Sequence, residues 1–196
     1  MPVNRSVPDV AQKRKNWNAL ISGFSASDLV FLDESGCNTD MTRRYAYSIG
    51  GSRAVDSAPL SKPKNTTILS SIQLDGTLRY TTFSGGTTVE RFKRYLESDL
   101  LPHLNGNSVL IMDNMKSHHA KAVKNLLDSS EIRYIYLPPY SPDLNPIEKL
   151  WSKVKAFLRK FKARTLDALP NAIQNAFHAV TVSDCSGWFR FCGYAL

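Results

Sequence analysis

Three kinds of feature are scarce in this chain, and each scarcity excludes something. It has only 3 cysteines, Cys37, Cys185 and Cys192, an odd number without a close pair, which argues against a disulfide framework and for reduced thiols. His178, Cys185 and Cys192 can be drawn as zinc ligands, but their spacing fits no structural zinc site, and core positions are expected for them. No apolar run approaches the ~20 residues that a membrane span needs, and no signal peptide is expected to open the chain. Acids are few beside bases: 17 Asp and Glu face 25 Lys and Arg, a formal charge of +8, which favours a polyanionic partner. There is no low-complexity tract, internal repeat or linker, so 196 residues are read as one domain with a substantial core. A cytoplasmic, nucleoid-associated location is the matching expectation.

What is present is concentrated around Leu137–Glu148, LPPYSPDLNPIE, and the helix that it opens. Proline fixes φ and biases its predecessor away from helix, so this stretch is a stiff approach. Asn145 is expected at the N-cap, Pro146 at the first helical position and Glu148 three residues after the cap. The helix then carries seven Lys and Arg from Lys149 to Arg164 and no acid. An acid heading a basic helix suits metal-assisted chemistry on a phosphate backbone.

The rest of the chain is read in order. Met1–Ser6 is expected to be loose and Pro8–Phe24 helical, with residues 1–28 a connecting segment before a domain at 29–196. Leu29–Asp33 (LVFLD) is an apolar run of the kind that forms a strand buried on both faces. Arg44–Ile49 alternates like a strand, with Tyr45, Tyr47 and Ile49 on one side, and Arg53–Lys64 is a loop. Thr67–Leu74 and Thr77–Phe83 flank Asp75-Gly76, a hairpin turn. Thr87 with Glu90 forms a capping box for a helix to about Leu101. Val109–Asp113 (VLIMD) repeats the pattern of LVFLD. Ser117–Asp128 reads as helix and Arg133–Leu137 as strand. A helix from Thr165 to Val180 should be disturbed near Pro170, and Ser183–Tyr194 packs Trp188, Phe189 and Phe191. The order is β-β-β-α-β-α-β-α followed by further helix: an α/β fold whose sheet mixes three antiparallel strands with two parallel ones.

LVFLD and VLIMD each put an aspartate at the carboxyl end of a buried strand. If these strands are parallel and adjacent, Asp33 and Asp113 stand together at the edge where open α/β sheets bind ligands, and Glu148 can reach that edge. Three close carboxylates raise one another's pKa unless cations neutralise them, and hard oxygen donors suit Mg²⁺ or Mn²⁺. Two such ions serve an in-line phosphoryl displacement. Taken singly, Asp33 could begin a turn with Ser35 and Gly36, Asp113 with Asn114 could cap a helix, and Glu148 could serve only the capping box. Together those readings explain neither the matched strand ends nor the basic helix.

FLDESG, LIMDN followed by His118, and LPPYSPDLNPIEKLW closely resemble the catalytic domain of mariner-like transposases, specifically the bacterial insertion-sequence branch, with 34 residues between Asp113 and Glu148. The resemblance covers Leu29 to the C-terminus. It implies a ribonuclease-H-like fold and an Asp-Asp-Glu triad on two Mg²⁺ (or Mn²⁺) ions, falling on Asp33, Asp113 and Glu148. It also implies hydrolysis at transposon ends, then strand transfer of the freed 3′-hydroxyl into target DNA, usually at TA. Glu34, Asn114, His118, Tyr140, Ser141, Asp143 and Asn145 match motif positions, with supporting roles behind the triad. Lys149, Lys153, Lys155, Arg159 and Lys160 are the candidates for DNA phosphate contacts. Relatives carry N-terminal helix-turn-helix units for which residues before Leu29 leave no room. The chain thus resembles a split-frame or truncated product, with a separate DNA-recognition subunit and a homodimer on DNA as expected partners. The rival readings are a nuclease of the same fold without strand transfer, and an inactive remnant that binds DNA or a partner.

Overall fold

The computed structural model describes residues 8–43, 45–57 and 64–194. Its centre is a five-stranded sheet of β1 (Leu29–Cys37), β2 (Thr66–Ile72), β3 (Leu78–Ser84), β4 (Val109–Met112) and β5 (Arg133–Tyr136), in the order β3-β2-β1-β4-β5. β1 pairs antiparallel with β2 and β2 with β3, while β4 runs parallel to β1 and β5 parallel to β4. This is the mixed sheet that the strand order predicts. The β2–β3 hairpin turns at Asp75-Gly76, where Gly76 takes a positive φ of 90° that L side chains rarely adopt.

Helices cover both faces. Odd-numbered residues of the central strands, Leu29, Phe31, Val109 and Ile111, pack with α4 (Ile147–Phe161), α5 (Leu169–His178) and α6 (Val182–Phe191). Even-numbered ones, Val30, Leu32, Leu110 and Met112, pack with α2 (Val89–Tyr95), the π turn after it, and α3 (Lys121–Ser129). Side chains alternate along a strand, so a continuous apolar run serves two cores at once. Ile111, fully buried in the first core, is expected to cost about 2–5 kcal/mol when replaced by Ala; urea unfolding measures it. α1 (Pro8–Ile21) belongs to that core too, through buried Trp17.

Several local expectations shift. Residues 45–49 form no strand, and Tyr45, Tyr47 and Ile49 are exposed; Arg44 and Met1–Ser6 lie outside the described residues. An aromatic alternation without a partner strand has no ladder to join. The helix expected from Thr87 is capped one residue later, where Thr88 accepts from the Arg91 N–H. Residues 116–119 form a turn, and α3 starts at Lys121. Pro170 occupies the first turn of α5, which therefore starts at Leu169 rather than Thr165. Phe161 and Phe191 are exposed, while Phe189 is fully buried. Cys37, Cys185 and Cys192 are free and buried.

Candidate active site

The strand register decides what the two aspartates can do. The last β1–β4 pair is Leu32 with Met112, and one residue beyond each come Asp33 and Asp113. Both have odd numbers, so they continue the face on which Phe31 and Ile111 meet α4. α4 brings Glu148 in its first turn to that same face, because Ile147, Leu150, Trp151, Val154 and Leu158 are its buried stripe. Asp33, Asp113 and Glu148 together line a cleft of about 620 Å³, with Glu34, Asn114 and the proline loop around them.

The electrostatics record their closeness. Burial, helped by the negative charges of Asp113, Glu148 and Glu34, pushes the Asp33 carboxyl up to about 7, against the Glu34 backbone N–H that donates to it at 2.7 Å. Trp151 Nε1 donates to its other oxygen at 3.3 Å. Burial also raises Glu148, with Asp113 adding to the rise and Lys155 opposing it. Asp113 goes the other way: burial raises it, but His118 and the Met115 N–H outweigh that and leave it lowered. Its Oδ1 lies 2.8 Å from His118 Nδ1 and accepts from Met115 N–H at 2.9 Å.

His118 is the keystone of the layer behind the aspartates. Fully buried and stacked 4.2 Å from Phe92, it has Nε2 3.3 Å from Glu34 Oε2, an ion pair rather than an aligned hydrogen bond. Burial alone would lower it, but its two carboxylate neighbours push it up to about 9, so it is an imidazolium at neutral pH. Tyr136, on β5, donates its hydroxyl to the His118 carbonyl.

The other motif residues have distinct places. Asn114 donates its amide to the Leu137 carbonyl, which ties the end of β4 to the start of the proline loop. Tyr140, in a positive-φ conformation of 57°, stands exposed on the cleft wall. Ser141 and Asp143 both accept from Arg14 of α1, Asp143 through two nitrogens at 3.1 and 2.6 Å. Asn145 does not cap α4 with its side chain: its Oδ1 is buried without a hydrogen-bond partner, and only its carbonyl accepts from Glu148 N–H at 3.1 Å. Pro146 already has helical φ and ψ and takes the N-cap place, so no capping box forms and Glu148 is free of that duty.

Arg14 and Trp151 went unremarked in the sequence as site residues. Trp151 stands three residues after Glu148, so it shares that helix face and was within reach of periodicity. No local signal links Arg14 to a residue 129 positions away.

The five basic candidates of α4 divide. Lys149 lies over the Phe191 ring at 3.7 Å, and Lys153 pairs with Asp184 at 2.5 Å. Lys155 and Arg159 line a groove beside residues 36–42, and Lys160 is exposed.

Among the described residues no three carboxylate, imidazole or thiol groups form a ready-made metal-holding set. The donor chemistry nonetheless suits a hard divalent cation: three carboxylates line one cleft, and a cation there offsets both the burial and the repulsion that lift Asp33.

The mixed sheet and flanking helices define a ribonuclease-H-like fold, as in the catalytic domain of Mos1 mariner transposase, which the chain matches with a TM-score of 0.74 at 16% identity over 97% of its own length and 91% of that chain. The chain belongs to the DDE superfamily endonuclease family, whose model matches residues 28–170. It is 33% identical over 75 residues to the Tc1 transposase of Caenorhabditis elegans, which is 38% of this chain and 28% of that protein. It also matches a pre-cleavage Mos1 transpososome with a TM-score of 0.79 at 19% identity, over 97% of this chain and 60% of that one. The chain thus spans less than two thirds of the length of these two longer relatives.

Proposed function

We propose that this chain is the catalytic domain of a mariner-like DNA transposase of the bacterial insertion-sequence branch. The observation that carries the reading is the convergence of Asp33, Asp113 and Glu148 on one cleft, from just past the last parallel β1–β4 pair and from a helix start. Membership of the DDE endonuclease family and similarity to Tc1 transposase support it. Mos1 has been solved as paired-end complexes with Mn and with Mg, consistent with the oxygen-donor chemistry here.

In this reading Asp33, Asp113 and Glu148 hold two Mg²⁺ or Mn²⁺ ions, which supply Lewis-acid stabilisation of the phosphodiester oxygens and an activated nucleophile. The chain's own residues do the positioning. Trp151 and the Glu34 N–H fix the Asp33 carboxylate. His118 holds Asp113 and Glu34 in register. Arg14 pins the proline loop that walls the cleft. The fixed carboxylates thereby meet the substrate with little reorganisation, which is how a preorganised site accelerates phosphoryl transfer.

The reaction is hydrolysis at transposon ends followed by attack of the freed 3′-hydroxyl on target DNA at TA. Residues 29–196 form the catalytic domain and residues 1–28 a connecting segment anchored by Trp17 and Arg14. End recognition is the work of helix-turn-helix units, and the active assembly is a homodimer on DNA. The proposed place of action is the nucleoid; no helix among the described residues is long and apolar enough to cross a membrane.

The test is a joining reaction. Purified protein, Mn²⁺, a labelled duplex with a recessed 3′-hydroxyl and a TA-containing plasmid should yield labelled plasmid. Nicked but unlabelled plasmid would instead define a nuclease of this fold without strand transfer.

A further inference from the structure

The carboxylate cleft is chemically two-sided. One side carries Asp33, Glu34, Asp113 and Glu148; the other is the proline loop, residues 137–142, which is neutral throughout. No Lys or Arg is among the described lining residues, so nothing on the loop side is suited to meet a phosphate. A nucleotide divides in the same way, into an anionic phosphate and a flat, neutral base. With the phosphate at the carboxylates and their cations, the base is left for the loop.

Tyr140 is the residue of that loop without a structural duty. It is 62% exposed, and its ring and hydroxyl make no stacking contact or hydrogen bond among the described residues. Its φ of 57° is a left-handed conformation that costs an L residue free energy and that Gly adopts freely. The loop imposes it from both ends. Asn114 donates to the Leu137 carbonyl at 2.5 Å, Arg14 donates to the Ser141 hydroxyl at 2.7 Å, and that hydroxyl donates to the Pro139 carbonyl at 3.1 Å. An aromatic ring therefore stands at the cleft in a costly conformation, where packing makes no use of it. Strain of this kind collects where a ligand is gripped. Asn145 is a second, independent sign. It lines the same cleft, is 4% exposed, and its Oδ1 is buried without a hydrogen-bond partner. The amino and ring N–H groups on the edges of bases are donors of the kind it lacks.

We propose that Tyr140 and Asn145 form a nucleobase subsite, in which an unpaired base next to the scissile phosphate stacks on the Tyr140 ring and offers its polar edge to Asn145. Every base has a π face, so stacking grips the strand with little regard to sequence. The subsite thereby sets which phosphate lies at the carboxylates. Both residues touch substrate instead of standing behind the triad. This inference rests on the proposed DNA-processing function.

The probe is a short DNA strand of abasic residues with one central 2-aminopurine, compared with the fully abasic strand, each with Ca²⁺ in place of Mg²⁺. Wild type should bind the base-bearing strand more tightly and quench its fluorescence. Tyr140→Ala should weaken binding of that strand about 5- to 150-fold, the worth of one base–aromatic stack, and leave the abasic strand unchanged. Tyr140→Phe keeps the ring and should bind as wild type does. Asn145→Ala should lose about 2- to 10-fold, again only for the base-bearing strand. A tyrosine kept for the fold would behave otherwise under Tyr140→Gly. That variant relieves the positive φ, so it should melt no lower than wild type while binding as weakly as Tyr140→Ala. Equal losses for both strands in Tyr140→Ala, or no loss for either, overturn the subsite. So does wild type that nicks plasmid with Mn²⁺ yet shows no preference for the base-bearing strand; in that case the proposed function still stands. Wild-type protein that neither binds the probe nor nicks plasmid overturns both.

Discussion

Replacing Asp33 with Asn is expected to abolish divalent-metal-dependent nicking and, without metal at pH 8, to make the protein more stable. The two effects have one cause. Burial and the neighbouring carboxylates push Asp33 up to about 7 from 3.8. Below 3.8 the group is protonated folded or unfolded, and its ionisation costs the fold nothing. Between 3.8 and about 7 the unfolded chain ionises first, so stability falls, and the full penalty is present above 7. A shift of this size corresponds to an upper bound of about 4 kcal/mol. Asn carries no charge to bury, so the variant should gain roughly 2–4 kcal/mol at pH 8, a rise in Tm of roughly 5–10 °C, and little at pH 4. Its nicking should fall by more than the roughly 10- to 100-fold that losing a group behind a metal ligand costs. Thermal melts of both proteins at pH 4 and pH 8, with and without Mg²⁺, check this directly. Mg²⁺ should stabilise wild type and not the variant. Equal melting of the two proteins at pH 8 would contradict it.

The second large effect belongs to His118. His118→Asn removes an imidazolium that sits 2.8 Å from Asp113 and 3.3 Å from Glu34, and leaves the buried carboxylate oxygens of Glu34 without a cation. Breaking a buried pair from one side costs about 3–5 kcal/mol. The pH dependence carries the signature. His118 is raised from 6.5 to about 9 in the folded chain, so its stabilisation is complete below 6.5 and lost as pH rises through about 9. The Tm difference between wild type and variant should therefore be large at pH 6 and shrink by pH 10. Nicking should fall about 10- to 100-fold even where the variant is folded, because Asp113 loses the group that orients it. A pH-independent Tm difference would mean that His118 contributes only its packing against Phe92.

The sheet was legible in the sequence because its central strands are buried twice over. LVFLD and VLIMD are continuous apolar runs since alternate residues feed different cores, and their terminal aspartates mark the edge at which both runs stop. Residues 45–49 misled for the opposite reason: alternation of Tyr and Ile mimics a half-buried strand, yet Tyr45, Tyr47 and Ile49 stand in solvent. Asn145 shows how motif chemistry can be misassigned locally, since N-P-I-E spells a capping box that the helix does not use. The layer behind the carboxylates was hidden because it is assembled from distance. Phe92, His118 and Glu34 meet only once β1, α2 and the turn after β4 are packed. The basic helix was visible as a count of positive charges, but not which of them the fold had already engaged; only Phe191 and Asp184 in α6 reveal that for Lys149 and Lys153.

The claim on which the rest stands is that Asp33 of β1, Asp113 just past β4 and Glu148 in the first turn of α4 share metal ions. Anomalous diffraction from crystals soaked in Mn²⁺ measures it most directly. The account predicts manganese peaks in the cleft, within bonding distance of Asp33, Asp113 and Glu148. Peaks at other carboxylates, with these three left without metal at saturating Mn²⁺, would contradict it.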